Sequence, residues 1–195
     1  MPTETKPASY ADLAALPETV VGELLNGELF VTPRPRPRHG VVATELVAAL
    51  RGAGVPDRRH TDGWHLIIEP ELRLFPGTDQ IAVPDLAGWR VADVAILPPD
   101  EIPLEIVPSW VCEISSPSTA RLDRAVKLPL YAEARVQWAW MIDPVARLLE
   151  IYQNTTDARH SSSGRWLLIG SFANDASISV PPFDQVTLDL SVLWL

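Results

Sequence analysis

Apolar and polar positions change period several times along the chain, and each change predicts an element. Ser9 is placed to cap a short helix through Leu16, which Pro17 stops. In GELLNGELF (22–30), two short apolar-rich runs flank Asn26-Gly27, the pair that favours a type I′ hairpin turn. The proline-arginine run 32–38 reads as a stiff extended connector. From His39 to Arg51, Val42, Leu46, Val47 and Leu50 recur at helical spacing, and Gly52 and Gly54 end the helix. Strand-like runs come next at 64–69 and 71–75, split by Pro70, and a third begins near Gln80, breaks at Pro84 and resumes from Asp85 to Trp89. The stretch 97–108 carries four prolines and reads as a loop.

The second half is more regular. Trp110–Ile114 is a compact apolar strand interrupted by one charge, Glu113. Residues 119–135 have helical character, with Pro129 forcing a kink or a new start. Further strands are expected at 138–142, 148–153 and 165–172, with a polar loop at 154–164, and the apolar tail from Pro181 should dock on the body. Hairpin, antiparallel strands and then a strand–helix–strand crossover predict a mixed central sheet flanked by helices, α/β or α+β in class. Residues 1–8 read as a disordered tail and 9–195 as a single domain, a length sufficient for one sizeable core.

Composition narrows the chemistry. No apolar run approaches the length of a membrane span, and the first residues lack the basic-then-apolar pattern of a secretory leader. Cys112 is the only cysteine, which excludes a disulfide framework and a cysteine-built zinc site, and makes the cytoplasm the expected location. A net charge of −9 argues against a general nucleic-acid binder. Positive charge is nevertheless clustered in Arg34, Arg36, Arg38 and His39, and again in Arg58, Arg59 and His60. These are either solvated loops or a phosphate-contacting rim. Of sixteen basic residues only Lys6 and Lys127 are lysine, so a chain that otherwise writes positive charge as arginine uses a compact ammonium at one internal position.

Glu113 is the most informative residue. Strand alternation puts Val111, Glu113 and Ser115 on one face and Trp110, Cys112 and Ile114 on the other. A carboxylate amid that much apolar surface needs a cation, a metal or hydrogen-bond donors. Asp85 comes directly after Pro84 at the start of an apolar strand, 28 residues earlier, and two such carboxylates entering neighbouring strands suit a hard divalent cation. Asp123 and Lys127 lie four apart on the next helix, where an ordinary surface ion pair is the competing account. No G-x-S-x-G elbow or P-loop is present, and the serines of SSPST (115–119) have no evident histidine partner.

Taken together, GELLNGEL, RPRHG, VPDLAGW, WVCEISSPSTARLDRAVKLPLYAE and WAWMIDPVARLLEIY resemble the Uma family of restriction-endonuclease-like proteins, within the PD-(D/E)XK superfamily. The resemblance runs from about residue 10 to the C-terminus and is most specific over 110–152. It implies a restriction-endonuclease-like core, with PD at Pro84-Asp85 and (D/E)-x-K opening at Glu113. Ser115 stands where that motif has lysine, and the resemblance implies Lys127 as the migrated partner. Glu23 matches the acidic residue of the family's first hairpin, and His39 its helix-opening histidine.

The activity implied by the resemblance is Mg²⁺-dependent phosphodiester hydrolysis, with Mn²⁺ as substitute. Asp85, Glu113 and the Ile114 carbonyl would hold the metal, with Glu23 as a further ligand. Lys127 would stabilise transition-state charge, and His39, Arg38 and Ser115 would bind substrate. The implied partner is nucleic acid, DNA first, with a homodimer open. The rival expectation, supported by the acidic composition and the displaced lysine, is a non-catalytic interaction module on the same fold.

Overall fold

The computed structural model describes residues 7–34, 37–155 and 164–194. Its centre is a six-stranded sheet in the order β10-β9-β8-β7-β6-β3. The strands are β3 (Trp64–Ile68), β6 (Leu86–Arg90), β7 (Trp110–Ile114), β8 (Trp138–Asp143), β9 (Leu148–Asn154) and β10 (Trp166–Ala173). Only β7 and β8 run parallel, with Glu113 opposite Met141, and the rest of the sheet is antiparallel. A parallel pair needs a crossover, and the helical segment between β7 and β8 supplies it. The mixed sheet flanked by helices is therefore the architecture the pattern predicts.

The expected alternation of β7 divides two cores. Trp110, Cys112 and Ile114 pack on one side with Val42, Leu46 and Leu50 of α2 (Pro37–Ala53). Val111 packs on the other with Leu128, Leu130 and Tyr131 of the crossover. In the first core Phe183 lies 4.9 to 5.6 Å, ring centre to ring centre, from Trp64, Trp110 and Trp140. The tail docks as expected, with Leu188, Leu190, Leu193 and Trp194 joining that core.

Near the start of the chain, β1 (Val20–Leu25) and β2 (Glu28–Pro33) form the expected hairpin, with Asn26 and Gly27 at φ 55° and 80° as a type I′ turn requires. The sequence pattern did not foretell where it goes. It pairs through Leu24 and Ile81 with β5 (Ile81–Ala82), which pairs with β4 (Leu72–Arg73), making a second, four-stranded sheet. The run expected at 71–75 is thus only two paired residues long.

Three boundaries differ from expectation. The helix capped by Ser9 is the short α1 (Tyr10–Ala14), where the Asp12 carboxylate accepts from both the Ser9 N–H and hydroxyl. The connector expected at 32–38 is shorter, because β2 continues to Pro33 and α2 begins at Pro37, a proline whose missing N–H costs nothing in a first turn. The crossover is also deformed before Pro129, not at it. It runs as α3 (Ala120–Leu122), a π-helical turn (Asp123–Lys127) and α4 (Leu128–Glu133), with the Leu128 N–H bonding the Asp123 carbonyl five residues back. Pro129 cannot donate to the carbonyl four residues before it, and the wider turn accommodates that break.

The tail expectation for residues 1–6, Arg36 of the basic run and positions 156–163 of the polar loop lie outside the described residues. Ala8, in contrast, donates its N–H to the Gly27 carbonyl at the hairpin turn. Among the described residues no helix is long and apolar enough to cross a membrane.

Candidate active site

Asp85 stands just ahead of β6, and the pairing of Leu86 with Cys112 sets it beside the end of β7. Its Oδ2 accepts the Ile114 backbone N–H at 2.5 Å, and its Oδ1 lies 2.6 Å from Nε2 of His39, near the start of α2. Two residues back from Ser115 on the same face of β7, Glu113 is almost fully buried, at 2% exposure. Tyr131 donates its hydroxyl to Oε1 of Glu113 at 2.6 Å, and Lys127 Nζ reaches the same oxygen at 2.9 Å. Both contacts fall on Oε1.

Lys127 is equally buried, which rules out the surface ion pair with Asp123 as a sufficient account. Its ammonium touches Glu113, the Val83 carbonyl at 2.9 Å and Oε1 of Glu23 at 3.1 Å, while Asp123 is farther, at 3.9 Å. The π-helical turn carries Asp123 and Lys127 inward together. Glu23 comes from β1 of the small sheet and also accepts the Val83 N–H at 2.8 Å. Both contacts fall on the Oε1 atom of Glu23.

All eight residues singled out in the sequence line one cleft of about 830 Å³: Glu23, Arg38, His39, Asp85, Glu113, Ile114, Ser115 and Lys127. Arg38 is exposed at its rim, and Ser115 is buried in its wall. Arg58 and Arg59 line a separate, larger hollow beside β3, where Arg59 pairs with Asp57. The two hollows share Val21, Arg34, Glu69 and Val83 along their border. Sequence reasoning missed Tyr131. A tyrosine between apolar helix neighbours reads as core, and only its spacing four residues after Lys127 hints that it faces the same way.

The electrostatics of the cleft are unbalanced. Five carboxylates line it, Glu23, Glu69, Asp85, Glu113 and Asp123, against Arg34, Arg38, Lys127 and the His39 imidazole. Burial, then the neighbouring carboxylates, push the Glu113 carboxyl well above its ordinary range against the pull of Lys127. Burial likewise raises Asp123 to about 6. Burial works against the Lys127 ammonium, but Glu113 and Glu23 outweigh it and hold the proton. His39 also loses to burial and gains more from its bond to Asp85, so its proton is held above the usual histidine range.

A bound cation would offset the crowding of carboxylates around Glu113. Among the described residues no three His, Cys, Asp or Glu side chains form a ready metal cage. Asp85, Glu113 and the Ile114 carbonyl offer oxygen donors, the kind a hard divalent cation such as Mg²⁺ takes.

A family model described as "Putative restriction endonuclease", Uma2, matches residues 7–191. The fold is similar to that of a crystal structure of "a putative nuclease belonging to DUF820" from Anabaena variabilis ATCC 29413. The TM-score is 0.66 at 22% identity, covering 96% of this chain and 98% of that one. No curated protein matches. The family match spans nearly the whole chain, both sheets and every residue of the cleft, and the chain belongs to the Uma2 family.

Proposed function

We propose that the protein is a cytoplasmic, metal-dependent nuclease that hydrolyses phosphodiester bonds in DNA, using Mg²⁺ or, in its place, Mn²⁺. The observation that carries this reading is the meeting of Asp85 and Glu113, from adjacent strands, in a cleft whose carboxylates outnumber its cations. Asp85, Glu113 and the Ile114 carbonyl are the groups that would hold the ion. Once bound, the ion supplies charge screening at the phosphate and a more acidic water.

The chain's own residues supply the rest. Lys127 pairs with both Glu113 and Glu23, opposes the burial that disfavours the ionised form of Glu113, and adds positive charge where negative charge develops in the transition state. Tyr131 helps to fix the Glu113 carboxylate by donating to the same oxygen that Lys127 contacts. Through its bond to Asp85, His39 orients that carboxylate and presents positive charge at the mouth, where Arg38 is free to meet a backbone phosphate.

A second reading, a binding module that keeps the fold without the chemistry, is favoured by one observation: Lys127 is already paired with two of the carboxylates. Cleavage assays on single- and double-stranded DNA with Mg²⁺, Mn²⁺ or chelator, with Asp85→Asn as control, separate the two. Metal-dependent products that vanish in Asp85→Asn support hydrolysis, and no products under any condition with intact DNA binding support the module.

A further inference from the structure

An ammonium has three protons, and those of Lys127 have three short acceptors: Oε1 of Glu113 and the Val83 carbonyl at 2.9 Å, and Oε1 of Glu23 at 3.1 Å. No N–H remains for a substrate. Turning one outward would strip a buried acceptor of its partner, the costly kind of hydrogen-bond loss.

The cleft wall holds one group with the opposite property. Ser115 is buried, and its hydroxyl has no hydrogen-bond partner. Among the described residues, no other shielded polar side-chain atom left unpartnered belongs to the cleft lining. Its neighbours do not share this state, since the Ser116 hydroxyl bonds those of Ser118 and Thr119 at 2.9 and 3.0 Å. The Ser115 backbone is pinned by its N–H on the Ile142 carbonyl at 2.7 Å, and period-two alternation sets its side chain on the face of β7 that carries Glu113. A fixed, shielded hydroxyl without a partner is a donor held ready, because a buried polar group is otherwise satisfied in a native fold.

Resting on the nuclease reading, we propose that the Ser115 hydroxyl is the donor that touches substrate, hydrogen-bonding a non-bridging oxygen of the bound phosphodiester. Lys127 is then a positioning residue, whose charge acts through Glu113 and Glu23 and which makes no contact with the phosphate. The ligand class is a phosphodiester anion entering between Ser115 and the cation-holding carboxylates.

The test compares wild type, Ser115→Ala and Ser115→Thr in three measurements. These are thermal melting, binding of a short fluorescent DNA oligonucleotide in Ca²⁺ by anisotropy, and cleavage rate in Mg²⁺. Ser115→Ala should melt at the wild-type temperature or above it, because it removes an unpaired buried hydroxyl. It should weaken oligonucleotide binding and slow cleavage by on the order of 10-fold, the worth of a hydrogen bond to a charged group. Ser115→Thr, which keeps the hydroxyl, should restore both. Unchanged binding in Ser115→Ala, equal losses in both variants, or a loss that tracks a lowered melting temperature would each overturn the proposal. A wild type that binds DNA through Ser115 but never cleaves would keep the contact and sink the nuclease reading. A wild type that neither binds nor cleaves would overturn both.

Discussion

The backbone N–H of Ile114 donates to Oδ2 of Asp85 at 2.5 Å, so the carboxylate that begins β6 is bolted to the end of β7. Replacing Asp85 with Ala orphans that N–H in a part-buried position and should cost about 1–3 kcal/mol of stability. Asp85→Asn can still accept the bond through its amide oxygen, so it should stay within about 1 kcal/mol of wild type. Both should lack the melting-temperature increase expected of wild type with Mn²⁺. Scanning calorimetry with and without Mn²⁺ checks this, and an Asp85→Asn protein that still responds to the ion would count against Asp85 as its ligand.

Among the described residues Lys127 is the only ammonium, and it lies among three buried carboxylates. Lys127→Met should destabilise the protein by about 3–5 kcal/mol at neutral pH, since the buried carboxyl groups of Glu113 and Glu23 lose their cationic partner. Adding Glu113→Gln should recover a large part of that loss, a strong departure from additivity. Urea denaturation of the four proteins in the cycle measures it, and additive losses would mean that Lys127 and Glu113 do not act as a pair.

Stability should fall with rising pH when no metal is bound. The Asp123 carboxyl has an ordinary value of 3.8 when unfolded and about 6 when folded. Below 3.8 it is protonated in both states, and the stability it contributes is fully present. As pH rises through about 6 the folded protein must ionise a group that burial disfavours, and stability drops by about 3 kcal/mol. Glu113 and His39, both raised, bend the curve the same way. Asp123→Asn should flatten the fall between pH 4 and 6. Saturating Mn²⁺ should oppose it, because the ion binds the ionised carboxylates. Melting curves from pH 4 to 8 would show it, and a wild type whose stability rises over that range without metal would refute the assignment.

Gly88 sits on β6 between the pairing positions Leu66 and Trp110. A Cβ there would meet Leu66 and Trp110 carbons at 3.0 Å and a Trp64 carbon at 3.2 Å. Both tryptophans are held edge-on or tilted against Phe183 and have little room to yield. Gly88→Ala should therefore cost about 1–3 kcal/mol, and Gly88→Val more, as overpacking does. Chemical denaturation tests this, and a stabilised Gly88→Ala would show that the aromatic cluster repacks freely.

The sheet and the cleft were legible in the sequence to different depths. Alternation in Trp110–Ile114 assigns each side chain of β7 to the core where it lies, because a strand's period is strict and one buried charge in an apolar run is a strong anomaly. The scarcity of lysine singles out Lys127 for the same kind of reason: a residue type used once internally has a local cause. The small sheet was not legible, since β4 and β5 are two residues each and take their pairing from the hairpin, not from any pattern of their own. Nor was the π-helical turn, because one extra residue in a helical turn leaves the hydrophobic period almost unchanged over so short a segment. Tyr131 was hidden because its ring belongs to the core and only its hydroxyl belongs to the cleft.

Lys127 grips Glu23 from the small sheet and Glu113 from the large one with the same ammonium. The two sheets are thereby interlocked at the cleft itself. A chain emerging from synthesis carries Glu23 and Asp85 well before Lys127 and Tyr131 exist, so the contacts that join the two sheets can form only once the crossover helix has been made. An incompletely folded molecule has the acidic residues but no assembled cleft, and competence at this site is tied to completion of the whole domain. The same interlock means that a cut or insertion in the β1–β2 hairpin, far along the chain from Glu113, would disarm the cleft as surely as a change in its own strand.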